Sequence, residues 1–154
     1  MNANKLIKNF IGKGKWAVFF IGSDKNTPAF AYTAGLSHYG LNELLITGNL
    51  SPQNACGILN MMGDMLLTRK EKDPQVSGFS HGEQVSLGGA YPLTVFNANR
   101  VARETLMLNT HGYYHGSFRA QQIVFPDKQG RLPTDPTSEF ATGEARLVGQ
   151  PLYI

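Results

Sequence analysis

The chain has 154 residues, of which 42% are hydrophobic and 16% are charged. This length is typical of one domain that folds without disulfide or metal support. The low charge and the aromatic content of 10% exclude an intrinsically disordered protein. The net charge of +3 is modest, and seventeen glycines with eight prolines indicate a turn-rich fold.

The amino-terminal segment, residues 1–14, is predicted to be a basic arm. It contains Lys5, Lys8 and Lys13 and no acidic residue. No series of aromatic residues accompanies these lysines, as stacking on single-stranded nucleic acid would require. A solvated arm is therefore favoured over an arm that binds nucleic acid.

The chain carries no pattern of a signal peptide or a membrane span. Its amino terminus lacks an apolar core after the basic residues, and no apolar run approaches the about 20 residues of a spanning helix. Cys56 is the single cysteine, which fits a reducing compartment. These observations predict a cytoplasmic protein without membrane association.

The predicted domain covers residues 15–133 and begins with a hairpin. Residues 16–21 are aromatic and β-branched, which is typical of a strand. The composition of residues 23–28 indicates a turn, so residues 29–33 should return antiparallel. A third strand is predicted at residues 43–47.

Residues 52–69 form the clearest predicted helix. Ser51 can accept a hydrogen bond at the N-cap, and Pro52 suits the first helical position. Apolar residues then recur at the spacing of one buried helical face, which comprises Ala55, Ile58, Leu59, Met62, Met65 and Leu66.

The second half of the domain repeats this alternation of strands and a helix. Strands are predicted at residues 83–87 and 91–98 around a two-residue hairpin at Gly88-Gly89. A short helix at 100–108 and a last strand at 121–125 follow. The predicted class is α+β: a mainly antiparallel sheet of about five to six strands packed against one long helix and one short helix.

The carboxy-terminal segment, residues 134–154, is predicted to be irregular, with a short strand at 145–148. It contains several separated apolar residues: Phe140, Leu147, Val148, Leu152, Tyr153 and Ile154. Exposed apolar clusters favour association. We therefore expect the segment to dock, either in cis on its own domain or in trans as the exchanged arm of a homodimer.

One candidate ligand site lies where the second predicted strand ends. Tyr32 precedes a turn at Gly35, and Ser37, His38 and Tyr39 follow on the loop. Loops at strand ends carry function more often than strand interiors do. These four side chains are therefore predicted to contact a ligand, with a polar turn as the alternative.

Three further residues are candidates for the same site. His111 and His115 are four positions apart, a spacing that suits metal ligands on one helical face. The sequence between them is poor helix and offers no third ligand, so no metal and no cofactor are predicted. Asp127 follows a proline as in some metal nucleases, but a turn ending at Gly130 explains it better.

These candidates favour a non-catalytic binding module for a protein or a small polar ligand. The sequence contains no assembled acid–base, nucleophile or metal constellation. One alternative is a small hydrolase whose Ser37, His38, His111 or His115, and Asp127 share a cleft. Another alternative is a phage-encoded inhibitor or a protein that sequesters a nucleotide signal.

Two blocks, residues 30–36 and 121–133, join strand-like runs to turn residues. With the spacing between them, they resemble the bacterial and phage family called domain of unknown function 4262. Members usually carry His-Pro before a glutamate, where this chain has Leu41-Asn42 before Glu43. The resemblance implies no established reaction, cofactor or catalytic residue.

Overall fold

The computed structural model describes residues 2–25, 28–48 and 50–139. In these residues the strands are β1 (Ala17–Ile21), β2 (Phe30–Ala34), β3 (Glu43–Thr47), β4 (Glu83–Val85), β5 (Leu93–Asn97) and β6 (Ala120–Val124). The helices are α1 (Ala3–Gly12), α2 (Pro52–Lys72), α3 (Arg100–Thr105) and α4 (Leu108–Tyr114). The α+β prediction is confirmed.

The six strands form one sheet in the order β1-β2-β3-β6-β5-β4. β1, β2 and β3 pair antiparallel in chain order, and so do β4, β5 and β6. The two sets meet where β3 and β6 run parallel, with Glu43 opposite Ala120. The predicted hairpin of β1 and β2 is confirmed, with Ala17 opposite Ala34.

Helix α2 covers one face of the sheet and begins as the sequence predicts. The Ser51 hydroxyl accepts a hydrogen bond from the Asn54 backbone nitrogen at 3.1 Å, which caps the first turn. Of the predicted apolar face, Ala55 is buried and Leu59, Met62 and Leu66 have no exposed surface, whereas Ile58 and Met65 are partly buried. This face and the inward side chains of the sheet form the main core.

Helix α1 forms in the segment that the sequence predicted to be a solvated arm. The Asn2 side chain accepts a hydrogen bond from the Lys5 backbone nitrogen at 2.8 Å, which starts the helix. Ile7, Phe10 and Ile11 follow at helical spacing, and Ile7 is fully buried. The lysines therefore occupy the outer face of an amphipathic helix whose apolar face packs on the sheet.

The connections in the second half also differ from the prediction. The short helix expected at 100–108 ends as α3 at Thr105, and α4 begins at Leu108. The link between β4 and β5 is longer than the expected two residues. The predicted strand at 145–148 lies outside the described residues, as does most of the carboxy-terminal segment. No helix in the described ranges has the length and apolarity needed to cross a membrane.

Candidate functional site

The buried carboxylate of Glu43 is the centre of a polar cluster at one end of the sheet. Glu43 has no exposed surface. Its oxygens accept hydrogen bonds from the hydroxyls of Thr33 at 2.8 Å and Ser37 at 2.5 Å. They also accept bonds from the backbone nitrogens of Gly35 at 3.3 Å, Leu36 at 3.2 Å and Ser37 at 2.8 Å. The carboxylate thus holds the loop that links β2 to β3.

The loop conformation explains why backbone groups converge on this carboxylate. Residues Leu36–Tyr39 form one turn of 3₁₀ helix, whose first nitrogens have no partner within the turn. Gly35 precedes it with a φ of 129°, a backbone conformation that a side chain would strain. Burial raises the pKa of Glu43, and the hydrogen bonds from Ser37, Thr33 and Gly35 partly oppose that rise.

Helix α4 closes the cluster from the other side. The Thr110 hydroxyl donates a hydrogen bond to the Thr33 carbonyl oxygen at 2.7 Å. The Tyr114 hydroxyl is buried beside Ser37 and Glu43, and it makes no hydrogen bond of good geometry within the described residues. Burial, and then the charge of Glu43, raises the pKa of Tyr114. The cluster is therefore desolvated and polar.

The predicted residues of the first candidate loop have separate surroundings. Tyr32 is buried between Phe19 and Phe30, and its hydroxyl accepts a hydrogen bond from the Asn109 nitrogen at 3.2 Å. The Tyr39 hydroxyl donates to a backbone carbonyl oxygen at 2.9 Å. His38 is exposed, with its ring edge-on to Tyr39 at 5.1 Å.

Of the two predicted histidines, His111 lies on α4 and His115 follows the last residue of that helix. The His111 ring is half-buried and meets the Phe118 ring edge-on at 6.5 Å. His115 is exposed and ends α4 with a φ of 52°. Within the described residues, no group of three or more His, Cys, Asp or Glu side chains is placed to hold a metal ion.

Asp127 holds a turn beyond the end of β6. Its carboxylate accepts hydrogen bonds from the backbone nitrogens of Gln129 and Arg131, both at 2.9 Å, and of Glu139 at 3.1 Å. The Arg131 guanidinium adds a bond at 3.1 Å. Burial alone would raise the pKa of Asp127, but these bonds outweigh it and lower the pKa to about 2. The turn ends at Gly130, as the sequence predicts.

Ser37 and Asp127 lie at opposite ends of the sheet. Glu43, which binds Ser37, is opposite Ala120 at the start of β6, whereas Asp127 follows Val124 at its end. Four residue steps along a strand already span about 13 Å. The described residues therefore contain no assembled Ser/His/Asp cleft, and the hydrolase alternative stays a prediction without a site.

A polar cavity of about 360 Å³ opens at the same end of the sheet as Glu43. We call it the arginine pocket, and it is lined by Asn42, Asn97, Ala98, Arg103, Phe118, Arg119 and Ala120. Sequence reasoning missed all of these residues, because they come from four separate segments. Only the pairing of β5 with β6 and of β3 with β6 brings them together.

The charges around the arginine pocket have one sign. Its described lining contains two guanidinium groups and no carboxylate. Among the described residues, Arg103 and Arg119 form no salt bridge, and Arg103 donates a hydrogen bond only to the Ala98 carbonyl oxygen, at 3.3 Å. Nearby Glu104 is bound to Arg100 instead, at 2.6 Å. The pocket is therefore suited to a negatively charged group.

A family model described as Domain of unknown function (DUF4262) matches residues 11–139. The chain belongs to this family. The match covers all six strands of the sheet and both the Glu43 cluster and the arginine pocket. A comparison with curated proteins and with solved structures found no match. In this DUF4262 domain the Glu43 cluster and the arginine pocket lie at the same end of the sheet.

Proposed function

We propose that this DUF4262 domain is a non-catalytic binding module for a small anionic ligand, which the arginine pocket holds. The observation that carries the proposal is the presence of Arg103 and Arg119 at one cavity without a salt bridge in the described residues. A guanidinium group presents a planar fork of donors that matches a carboxylate or a phosphate.

The other lining residues add donors and one apolar wall. The Gln121 side chain donates a hydrogen bond to the Asn97 amide oxygen at 3.0 Å. This bond occupies the acceptor of Asn97 and leaves its amide nitrogen as a donor. Asn42 adds a second amide, and the half-buried Phe118 ring offers apolar contact. Small-molecule sites typically place a few polar groups beside an apolar surface.

The size of the pocket favours a small ligand over a protein segment at this place. A cavity of about 360 Å³ is near the lower end of the range for ligand pockets, about 300–1,000 Å³. The proposed ligand is an organic anion with a carboxylate or phosphate group. We place the module in the cytoplasm, a proposal supported by the single cysteine.

Isothermal titration calorimetry of the full chain tests this proposal. The probes are inorganic phosphate, citrate and a nucleoside monophosphate, measured at low and at physiological salt. We expect at least one probe to bind, and its affinity to fall by about 10- to 100-fold in Arg103→Gln or Arg119→Gln. This loss corresponds to a binding free energy of about 1.5–3 kcal/mol, the contribution of one hydrogen bond to a charged group. A nucleotide that binds more tightly than phosphate would favour the nucleotide-sequestering alternative.

The matched control is Arg100→Gln, which removes one positive charge from the same helix. Arg100 is bound to Glu104 and does not line the pocket. Its substitution should leave the affinity within about twofold of the parent, since screening weakens charges at a distance. The proposal is refuted if no probe binds with a dissociation constant below about 1 mM. It is also refuted if Arg100→Gln weakens binding as much as Arg103→Gln does.

A further inference from the structure

A second cavity, of about 580 Å³, lies between helix α2 and the residues that lead from α1 into β1. Apolar side chains from both sides form its walls, namely Phe10, Trp16, Val18 and Leu67. Its volume is within the range for small-molecule pockets, about 300–1,000 Å³. Its described lining has no residue in common with that of the arginine pocket. The second cavity is therefore a separate place for a ligand.

The polar side of the second cavity is one row of side chains along α2. Cys56, Asn60 and Asp64 line the cavity at intervals of four residues, which places them next to one another on the helix surface. The Asn60 amide oxygen accepts a hydrogen bond from the Trp16 indole nitrogen at 3.1 Å. This bond leaves the Asn60 amide nitrogen as a donor, one helical turn from the Asp64 carboxylate. The row therefore presents a donor and an anionic acceptor side by side.

The Trp16 ring, which orients Asn60, is itself held by close packing. A Cβ added at Gly63 would lie 2.5 Å from this ring, so the ring rests on the α2 backbone. The Tyr39 ring meets it edge-on at 6.5 Å between ring centres, and only 7% of Trp16 is exposed. The Asn60 donor is thus in place before a ligand arrives, which lowers the entropy cost of binding.

A positive charge comes from the segment across the cavity from α2. Lys15 lines the cavity just before β1, and both Lys15 and Asp64 are exposed, so a ligand can reach them from solvent. These two residues form no salt bridge with each other. A simple anion would meet the charge of Asp64, and a simple cation would meet the charge of Lys15. A ligand that carries both charges leaves neither residue unmatched.

We infer that the second cavity binds a free α-amino acid with an apolar side chain. The ammonium group of this ligand donates to the Asp64 carboxylate. Its carboxylate accepts hydrogen bonds from the Lys15 ammonium group and the Asn60 amide nitrogen. Its side chain packs on the apolar walls and removes their surface from water. This site goes beyond the anion site proposed above and does not depend on it.

Fluorescence titration of the full chain tests the inference, because Trp16 is the single tryptophan and lines the second cavity. The probes are L-leucine, L-methionine and L-phenylalanine, each with its N-acetyl derivative and its carboxamide. We expect at least one of the amino acids to change the Trp16 emission with a dissociation constant below about 1 mM. The N-acetyl derivative lacks the ammonium charge and the carboxamide lacks the carboxylate charge. Each derivative should therefore bind at least about tenfold more weakly.

Two variants assign the charges of the ligand to their partners. Asp64→Asn should weaken the amino acid and its carboxamide by at least about tenfold and leave the N-acetyl derivative within about twofold. Lys15→Gln should do the reverse, weakening the amino acid and the N-acetyl derivative alone. Glu71→Gln and Lys13→Gln are the matched controls, since they remove the same charges from exposed positions outside the described lining. Both controls, and Arg103→Gln in the arginine pocket, should leave the affinity within about twofold.

Three results overturn the inference. The first is that none of the amino acids binds with a dissociation constant below about 1 mM. The second is that the parent protein binds a derivative as tightly as the amino acid itself, a comparison that needs no variant to fold. The third is that Arg103→Gln weakens binding as much as Lys15→Gln does, which would place the ligand in the arginine pocket.

Discussion

Replacing Glu43 by glutamine should destabilise the DUF4262 domain although it leaves the core volume unaltered. One carboxylate oxygen of Glu43 accepts hydrogen bonds from the Gly35 and Ser37 backbone nitrogens. In the variant an amide nitrogen takes the place of that oxygen and accepts no hydrogen bond. The two backbone groups, which the folded loop keeps away from water, would then lose their partner.

The magnitude follows from these two groups. A buried donor without a partner costs about 1–3 kcal/mol. Two such donors lower the free energy of unfolding by about 2–6 kcal/mol. For a domain of this size, this loss corresponds to a melting temperature lower by about 4–24 °C. Ser37→Ala removes one hydroxyl donor and leaves the backbone nitrogens satisfied, so its cost should be only about 1 kcal/mol.

Urea denaturation and thermal melting of the parent, Glu43→Gln and Ser37→Ala measure this order of stability. Glu104→Gln is the matched control, because it makes the same substitution at an exposed salt bridge, where little change is expected. A Glu43→Gln protein that melts within about 2 °C of the parent would refute the reasoning, since the loop would then not depend on the carboxylate. An effect of Ser37→Ala equal to that of Glu43→Gln would also refute it.

The difference in stability between the parent and Glu43→Gln should change with pH in a defined direction. Burial raises the pKa of Glu43 in the folded state above its unfolded value of about 4.3. Its contribution to stability is therefore complete below about pH 4 and declines as the pH rises through the folded pKa. The difference in stability between the parent and Glu43→Gln should therefore narrow as the pH rises above about 4.3.

Three further predictions concern the packing and the Asp127 turn. Leu59→Ala should lower the free energy of unfolding by about 2–5 kcal/mol, because Leu59 is fully buried; the exposed Leu108→Ala is its control in urea titrations. The pKa of Asp127 is lowered to about 2. Its contribution to the free energy of unfolding is therefore present above about pH 4 and is lost toward pH 2. Asp127→Asn should melt at a lower temperature than the parent at pH 7 and at nearly the same temperature at pH 2. In Gly63→Ala the new Cβ would lie 2.5 Å from the Trp16 ring, so the single tryptophan should shift its emission to the red and stability should fall by about 1–3 kcal/mol.

The parts of the fold that were predictable have local signals. Ser51 and Pro52 mark the start of α2, and the spacing of its apolar residues marks its buried face. The hairpin of β1 and β2 follows from two strand-like runs around a turn. Helix α1 was missed because its lysines are the most prominent residues of the segment. The spacing of Ile7, Phe10 and Ile11 was a signal for it.

The candidate site was predictable only in part, for a physical reason. Ser37 stands out because it follows a glycine turn at a strand end. The partners of Glu43 are mostly backbone nitrogens, which no sequence pattern displays. The available sequence signal for the cluster was Glu43 itself, an acidic residue at the start of an otherwise apolar strand. Arg103 and Arg119 meet only through the sheet, so no spacing along the chain predicts the arginine pocket.

The parallel pairing of β3 with β6 has a consequence for the order in which the domain folds. It joins two three-stranded units through residues as distant as Thr47 and Gln122, which are 75 positions apart in the chain. Closing a loop of this length costs about 4 kcal/mol of chain entropy. Each unit should therefore form before the two units join, and amide hydrogens at this junction should exchange before those inside either unit. Because residues from both sides of the junction line the arginine pocket, a bound anion should slow exchange there first.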